Sequence, residues 1–391
     1  MAKRAYAPQY VAEDKDILDL LASERRSLTT KKLLQVARER GIFLSESESW
    51  EKLAKYISCL PFDWPSLKRL FAMTEREDRS EKKTSSIIAT KAVLATALDA
   101  VESIKTEREG VREDAFAIKR SGNVLTVDVG YTEVDESRTR LNQRRSRKLT
   151  IEIEQTPDGI KFRHDANERA AAIVEEIIEH LVDDAGEVPL RRIIDLSGIR
   201  APDARTAFFL ALMQGLKAHD LKDVSSVSVD RLPTGEDSEG TDDTEAGEDL
   251  VAGTRLSKPE DAEMTAVVRH VLLRGDKLLD SREYRELTKN GFFVSRAVWT
   301  VEDTKTLRRV EFEAEFDDGP HATGFRYGVR GVFERKENGD LKKTRKSLSE
   351  FEKRPLVEAL EDAAQRALAS AEASAKAPLL PPLPPVVTGP K

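Results

Sequence analysis

Six of the twelve residues in SRTRLNQRRSRK, 137–148, are arginine or lysine and none is acidic. A cluster of Arg138, Arg140, Arg144, Arg145, Arg147 and Lys148 has the chemistry to neutralise phosphates without reading bases, at an affinity that falls steeply with salt. A second cationic set, Lys31, Lys32, Arg38, Arg40 and Lys55, lies in a stretch, 25–69, that holds ten Lys/Arg against five Asp/Glu. A third arrangement is acidic. Asp317 or Asp318 precedes Glu334-Arg335-Lys336; two such carboxylates on adjacent strands hold Mg²⁺ in some enzymes while a lysine steadies the developing charge.

Other chemistry is absent at the level of motif. The chain has no G-x-S-x-G, Walker A, H-E-x-x-H or G-x-G-x-x-G pattern. Its five histidines, His164, His180, His219, His270 and His321, show no ligand-like spacing. Cys59 is the only cysteine, which excludes an internal disulfide framework and a cysteine zinc cage; it is expected as a small buried hydrophobe beside Leu60 and Phe62. No cofactor is expected. No apolar run approaches the length that crosses a bilayer, and a cytoplasmic protein without membrane contact is expected. A net charge of −7 argues against indiscriminate DNA coating, so local clusters decide what is bound.

The elements that must position these residues follow from periodicity. Residues 13–75 read as helical. Leu33, Val36 and Ala37 face inward on a first helix that Gly41 stops; Trp50, Leu53, Ala54 and Ile57 keep helical spacing on a second; Asp63 and Pro65 start a third. A charged joint leads to a helix over IIATKAVLATALDAVESI. From about Phe116 the period falls to two, giving strands at NVLTVDVGYTEV and RKLTIEIEQ, with Pro157-Asp158-Gly159 turning into IKFRH. The arginine-rich 137–148 segment joins two of these strands and is expected to project as a flexible finger. Helices are expected at 168–183, VPLRRIIDL and DARTAFFLALMQGL, then a strand at VSSVSVDRL.

Between Glu236 and Asp249 eight of fourteen residues are acidic and none is basic, a composition of disordered linkers. Beyond it come a helix over DKLLDSREYRELTKN, three strands, an Asn338-Gly339 turn and a helix begun by Pro355. The expected fold class is α+β and multidomain: an N-terminal helical bundle followed by two units of antiparallel sheet plus helices. The expected boundaries are 1–78 helical, 84–232 α+β with the basic hairpin, 233–260 acidic linker, 261–370 second α+β unit and 371–391 proline-rich tail. The two α+β units share an order of elements that diverged copies of one module would have.

Residues 28–57 resemble the SAP family of two-helix DNA-binding motifs, through Leu28, Leu33, Arg40-Gly41-Ile42, Ser45, Leu53 and Ile57. That resemblance covers some thirty residues and implies a miniature apolar core whose helix termini and cations face the DNA backbone. Glu46 and Glu48 depart from it, because they put carboxylates where a helix terminus should attract phosphate. The Asp318 and Glu334 arrangement is similar to that of PD-(D/E)xK nucleases, and implies a Mg²⁺-dependent nuclease as a third choice. The leading expectation is a non-enzymatic adapter in a larger complex that binds nucleic acid, DNA above RNA, by backbone contacts. Its alternative is a protein–protein scaffold subunit.

Overall fold

The computed structural model describes residues 12–74, 81–90, 93–111, 114–185, 190–232, 270–275, 278–335 and 340–376. The expected acidic linker core at 236–249, the Asn338-Gly339 turn and the proline-rich segment beyond 376 lie outside the described residues. Four helices come first, α1 (Asp14–Ser23), α2 (Thr30–Arg38), α3 (Trp50–Ser58) and α4 (Trp64–Thr74). Then follow β1 (Lys83–Ala89), α5 (Leu94–Val111), β2 (Ala115–Ser121), β3 (Val124–Val134), β4 (Arg144–Thr156), β5 (Gly159–Asp165) and α6 (Glu168–Ala185). The remainder is β6 (Leu190–Ile193), α7 (Pro202–Gln214), β7 (His219–Arg231), β8 (His270–Arg274), α8 (Arg282–Lys289), β9 (Phe292–Asp303), β10 (Arg309–Asp318), β11 (Thr323–Arg335), β12 (Leu341–Lys346) and α9 (Glu350–Lys376). The chain is a mixed α+β protein, with N-terminal helices followed by antiparallel sheet and helices. It divides into two compact units, each drawn from separate stretches of the sequence.

The first unit takes Met1–Glu81, Ala92–Gln155 and Arg169–Glu187. Its helices bury Ile17, Leu20 and Leu21 of α1, Leu33 and Val36 of α2, Leu53 and Ile57 of α3, and Leu67 and Leu70 of α4. Each helix carries its apolar residues at spacings of three and four, so one stripe turns inward. α2 ends where Gly41 takes φ +73°, with the Ile42 amide donating to the Ala37 carbonyl at 3.0 Å and that of Gly41 to Arg38 at 2.9 Å. This paired closure needs a left-handed residue, which glycine supplies at no steric cost. Asp63 caps α4 by accepting from the Ser66 amide at 3.0 Å. Cys59 is exposed rather than buried, because it stands one residue past α3, outside the buried stripe that ends at Ile57 and Ser58.

In the same unit β2, β3 and β4 form an antiparallel meander. Leu125, Val127 and Val129 of β3 and Leu149, Ile151 and Ile153 of β4 are almost wholly buried, the alternation that one covered face imposes. α5 begins at Leu94 and not at Ile87. Ile87 and Ile88 belong to β1, since two β-branched residues after a serine pair favour an extended backbone.

The second unit takes Lys82–Lys91, Thr156–Glu168 and Val188–Lys391. Its strands pair in the order β5-β1-β11-β10-β9-β7-β8, with β6 on β1 and β12 on β11. Trp299, Phe312, Phe316, Phe325 and Tyr327 of the sheet share one core with Phe208, Phe209 and Leu212 of α7 and Leu360, Ala363 and Ala367 of α9. The rings interlock edge to face, Phe208 lying 5.4 Å from Phe209 and 5.5 Å from Phe325, an arrangement that adds to burial alone.

Three expectations fail here for local reasons. The segment VPLRRIIDL carries β6, not a helix, because Ser86 to Ala89 of β1 offer an edge that Leu190 to Ile193 complete. α9 starts at Glu350, ahead of Pro355: the Ser349 hydroxyl accepts from the Glu352 amide at 3.4 Å, while the Glu352 carboxylate accepts from the Ser349 amide at 3.1 Å, a reciprocal cap that overrides the proline. The same helix runs to Lys376 with Ala371 buried, past the expected boundary at 371. The described residues on either side of 233–269 belong to one antiparallel arrangement, β7 pairing with β8 at Asp230↔His270 and with β9 along its length.

Candidate functional site

The 137–148 segment does not project. Asp135 opens a turn by accepting from the Ser137 amide at 3.1 Å, Leu141 is buried in the helical core of the first unit, and the Asn142 amide donates to the Ser23 hydroxyl at 3.0 Å. Burying a leucine and pairing its neighbours fixes the loop, since an ordered loop needs such partners to offset its lost freedom. The cations are drawn to carboxylates in turn. Arg140 meets Asp16 at 3.0 Å, Arg145 meets Glu24 at 2.7 Å, Arg147 meets Glu133 at 2.9 Å, and Arg138 pairs with Asp135 three residues before it. Arg144 also has a partner. Lys148 is exposed and makes no ion pair among the described residues.

The amino-terminal cations divide in the same way. Arg38 pairs with Glu46 at 2.9 Å. Lys32 donates to the Met73 carbonyl at 3.1 Å. Arg40 lies over the Phe62 ring at 3.8 Å and donates to the Pro61 carbonyl at 2.7 Å; burial lowers its pKa, and the nearby Arg69 charge adds to that effect while Asp63 opposes it. Lys31 and Lys55 remain exposed, with no ion pair among the described residues.

The N-terminus of α3, where the SAP resemblance would place phosphate, is already satisfied. The Ser49 hydroxyl caps it. Glu46 is held by Arg38, Glu48 by Lys52 at 3.4 Å and Glu51 by Arg25 at 2.7 Å. Three carboxylates round the positive end of a helix supply the negative charge that an anion would bring. Sequence reading found the cations but not most of their partners. Asp16 and Glu24 are more than a hundred residues from Arg140 and Arg145, so no local signal exposes them. Asp135 and Arg138 stand at a spacing that was open to view.

Asp318 and Glu334 are not brought together. Asp318 pairs with Thr323 at one end of the β10–β11 hairpin, and Glu334 stands beyond Phe333, the partner of Arg309, at the other. Thr323 and Glu334 are eleven steps apart along the strand, about 36 Å, far beyond a shared metal. Asp318 instead accepts from the His321 amide at 3.1 Å and faces the His321 ring. Glu334 is taken by Lys342 at 2.8 Å and Lys346 at 2.9 Å, whose hydrogen bonds draw its pKa down to about 2. Among the described residues no group of three or more His, Cys, Asp or Glu is placed to hold a metal ion. No described helix is long and apolar enough to cross a membrane.

A polar cluster that sequence reading did not single out lies within the second unit. Glu361, on α9, accepts from Nε and Nη2 of Arg163 at 2.6 and 2.7 Å, from Lys161 and from the Tyr327 hydroxyl. Burial alone would raise the Glu361 pKa; Arg163 and Lys161 reverse that and leave it lowered. The one available signal was a charged pair, Lys161 and Arg163, inside the strand IKFRH. Glu361 and Arg163 are nearly inaccessible, so this cluster fastens α9 to the sheet rather than meeting a ligand.

The chain matches no family model, and no curated protein is similar to it.

Proposed function

We propose that the protein is a non-enzymatic adapter whose amino-terminal helical module docks another protein. One contrast within that module carries the reading. Arg25, Arg38 and Arg40 are matched by carboxylates or a carbonyl, whereas Phe43, Tyr56 and Trp64 are 83, 46 and 41% exposed. Exposed aromatics on a rigid helical frame are the side chains that anchor protein interfaces, while phosphate binding needs cations free to exchange counterions. A second reading, DNA bound through its backbone, rests on Lys31, Lys55 and Lys148, which are exposed and have no ion pair among the described residues.

Gel shifts with duplex DNA at about 50 and 200 mM salt separate the two. The adapter predicts no shift at either salt, and a partner retained in pull-downs that a Phe43→Ser, Trp64→Ser double variant loses. A salt-dependent shift that Lys31→Glu and Lys55→Glu abolish would overturn it in favour of DNA.

A further inference from the structure

We infer that the tip of the β9–β10 hairpin and the first turn of α9 form a weak two-fold contact with a second copy of this chain. Arg308 of the hairpin and Glu352 of α9 meet at 3.5 Å, and each stands next in the chain to an apolar side chain left in water. Leu307 is 51% exposed and Phe351 91%. Pro355, one turn after Phe351, is exposed as well. By contrast, Val301 and Val310 of the same two strands and Val357 and Leu360 of the same helix turn into the core.

Leu307 also holds a backbone conformation that leucine resists. Its φ is +53°, in the left-handed region where a Cβ crowds the following carbonyl and where hairpin loops favour glycine. The loop fixes it there. The Leu307 amide donates to the Asp303 carbonyl at 2.9 Å and the Asp303 amide to the Arg308 carbonyl at 3.0 Å, while the Asp303 carboxylate accepts from the amides of Lys305 and Thr306 at 2.7 and 2.9 Å. Glycine would make this turn without strain. A leucine that is both strained and exposed is explained by a contact outside the chain.

The charges around this apolar pair select a second copy as the occupant. On the hairpin side Lys305 is exposed and makes no ion pair among the described residues; the neighbouring Asp303 carboxylate is turned onto its own loop amides. On the helix side Glu350 is 80% exposed, whereas Lys353, which reaches it, is far more covered, so the carboxylate is the outer group. A patch with a cation at one end, an acid at the other and apolar residues between is complementary to itself under a two-fold axis. Lys305 of each copy then meets Glu350 of the other, while Leu307 packs on Phe351. A membrane surface fits less well, since Glu350 and Glu352 would face anionic headgroups. The contact is small and therefore transient, with a dissociation constant on the order of 10–100 μM. Pairing goes beyond the adapter reading and does not depend on it: a dimer carries the helical module twice and grips a partner with repeated sites at both.

The test is sedimentation velocity on the full chain at about 50 mM salt, over protein concentrations from about 1 to 200 μM. The sedimentation coefficient rises with concentration as a monomer–dimer equilibrium, and Phe351→Ser removes the rise. Leu307→Gly weakens association about tenfold, yet its thermal midpoint at about 1 μM is not below that of the intact chain, which separates a lost contact from a lost fold. Lys305→Glu and Glu350→Lys each weaken association about tenfold, because each alters both symmetric contacts. The two substitutions combined in one chain recover it. Phe43→Ser with Trp64→Ser, in the first unit, leaves it unchanged. A single monomeric species at every concentration would overturn the inference. So would association that Phe351→Ser leaves intact, which places the contact elsewhere, or a charge-reversed chain that does not recover, which removes the two-fold pairing. Self-association lost in the Phe43 and Trp64 variant would overturn it too, and would move the contact to the helical module. Retention of a different protein in pull-downs, the measure of the adapter reading, is independent of all these outcomes.

Discussion

The Arg145 guanidinium donates to the Glu24 carboxylate at 2.7 Å, closing a contact between residues 121 apart in the sequence. Glu24 follows α1 directly and Arg145 is the second residue of β4, so this pair, with Arg140–Asp16 beside it, ties the arginine-rich turn to the helical core. Arg145 is about one-third exposed and Glu24 far less. A pair so placed is screened less than a surface bridge but keeps access to water.

A double-mutant cycle measures that tie. Arg145→Ala and Glu24→Ala each lower stability, and the coupling between them in urea unfolding comes to about 1 kcal/mol. Arg145→Glu costs more, because two carboxylates then share the site, and the exchanged pair Glu24→Arg with Arg145→Glu recovers some of the loss. Additive single effects would show that this pair does not hold the turn, leaving that to Leu141, Arg140–Asp16 and Asn142–Ser23.

Glu361→Gln tests the buried cluster. The substitution keeps the shape but leaves Arg163 and Lys161 without a counter-charge in a site shut off from solvent. Removing one partner of a buried ion pair costs about 3–5 kcal/mol. Tyr327→Phe, which removes one hydroxyl from the same carboxylate, costs about 1.5–3 kcal/mol. Thermal unfolding should rank the two in that order; the opposite ranking would mean that the hydroxyl, not the charge, holds α9 down.

How much of this was open to sequence reading varies with the range of the forces. Helices α2, α3 and α4 were legible because their apolar residues keep one face and because Gly41 and Asp63 sit at their ends. The strands β3, β4, β9, β10 and β11 were legible from alternation. β6 and β8 were not, being short strands of four and five residues that exist only because β1 and β7 offer them an edge. The cationic residues were visible as a composition, but their electrostatic state was not. Arg140 and Arg145 differ from Lys31 and Lys55 only in what the fold lays against them. Among the described elements, β1 to α6 and β8 to α9 each run strand, helix, four strands, helix, an order that diverged copies would share.

Glu334 gives a direct electrostatic test. Hydrogen bonds from Lys342 and Lys346 hold its pKa near 2 against an ordinary 4.5. Its folded-state value is depressed, so the stability it lends is complete above about pH 4.5 and is lost as pH falls through the folded value. Carboxyl-resolved NMR should show Glu334 still ionised at pH 3.5–4, roughly where free carboxylates titrate. Lys346→Ala should move its midpoint upward. A midpoint already at 4.5 in the intact protein would mean that β12 does not stay paired to β11 at that end.

The other titrating contact works with the opposite sign. The His270 ring, at the first residue of β8, lies 2.9 Å from the Asp230 carboxylate of β7. That hydrogen bond raises the His270 pKa above 6.5; burial and the Arg296 charge from β9 oppose it without cancelling it. A folded value above the unfolded one gives stability that is complete below about pH 6.5 and disappears as pH rises through the raised midpoint. His270 is more than half exposed, so the effect is local to β8 rather than global. The amides of Val271 and Leu273, corrected for intrinsic exchange, should therefore lose protection as the ring deprotonates. Asp230→Asn should bring the ring midpoint down and flatten that dependence. A ring that titrates at or below 6.5 in the intact chain, or one that ignores Asp230→Asn, would remove Asp230 as the group that closes this end of the β7–β8 pair.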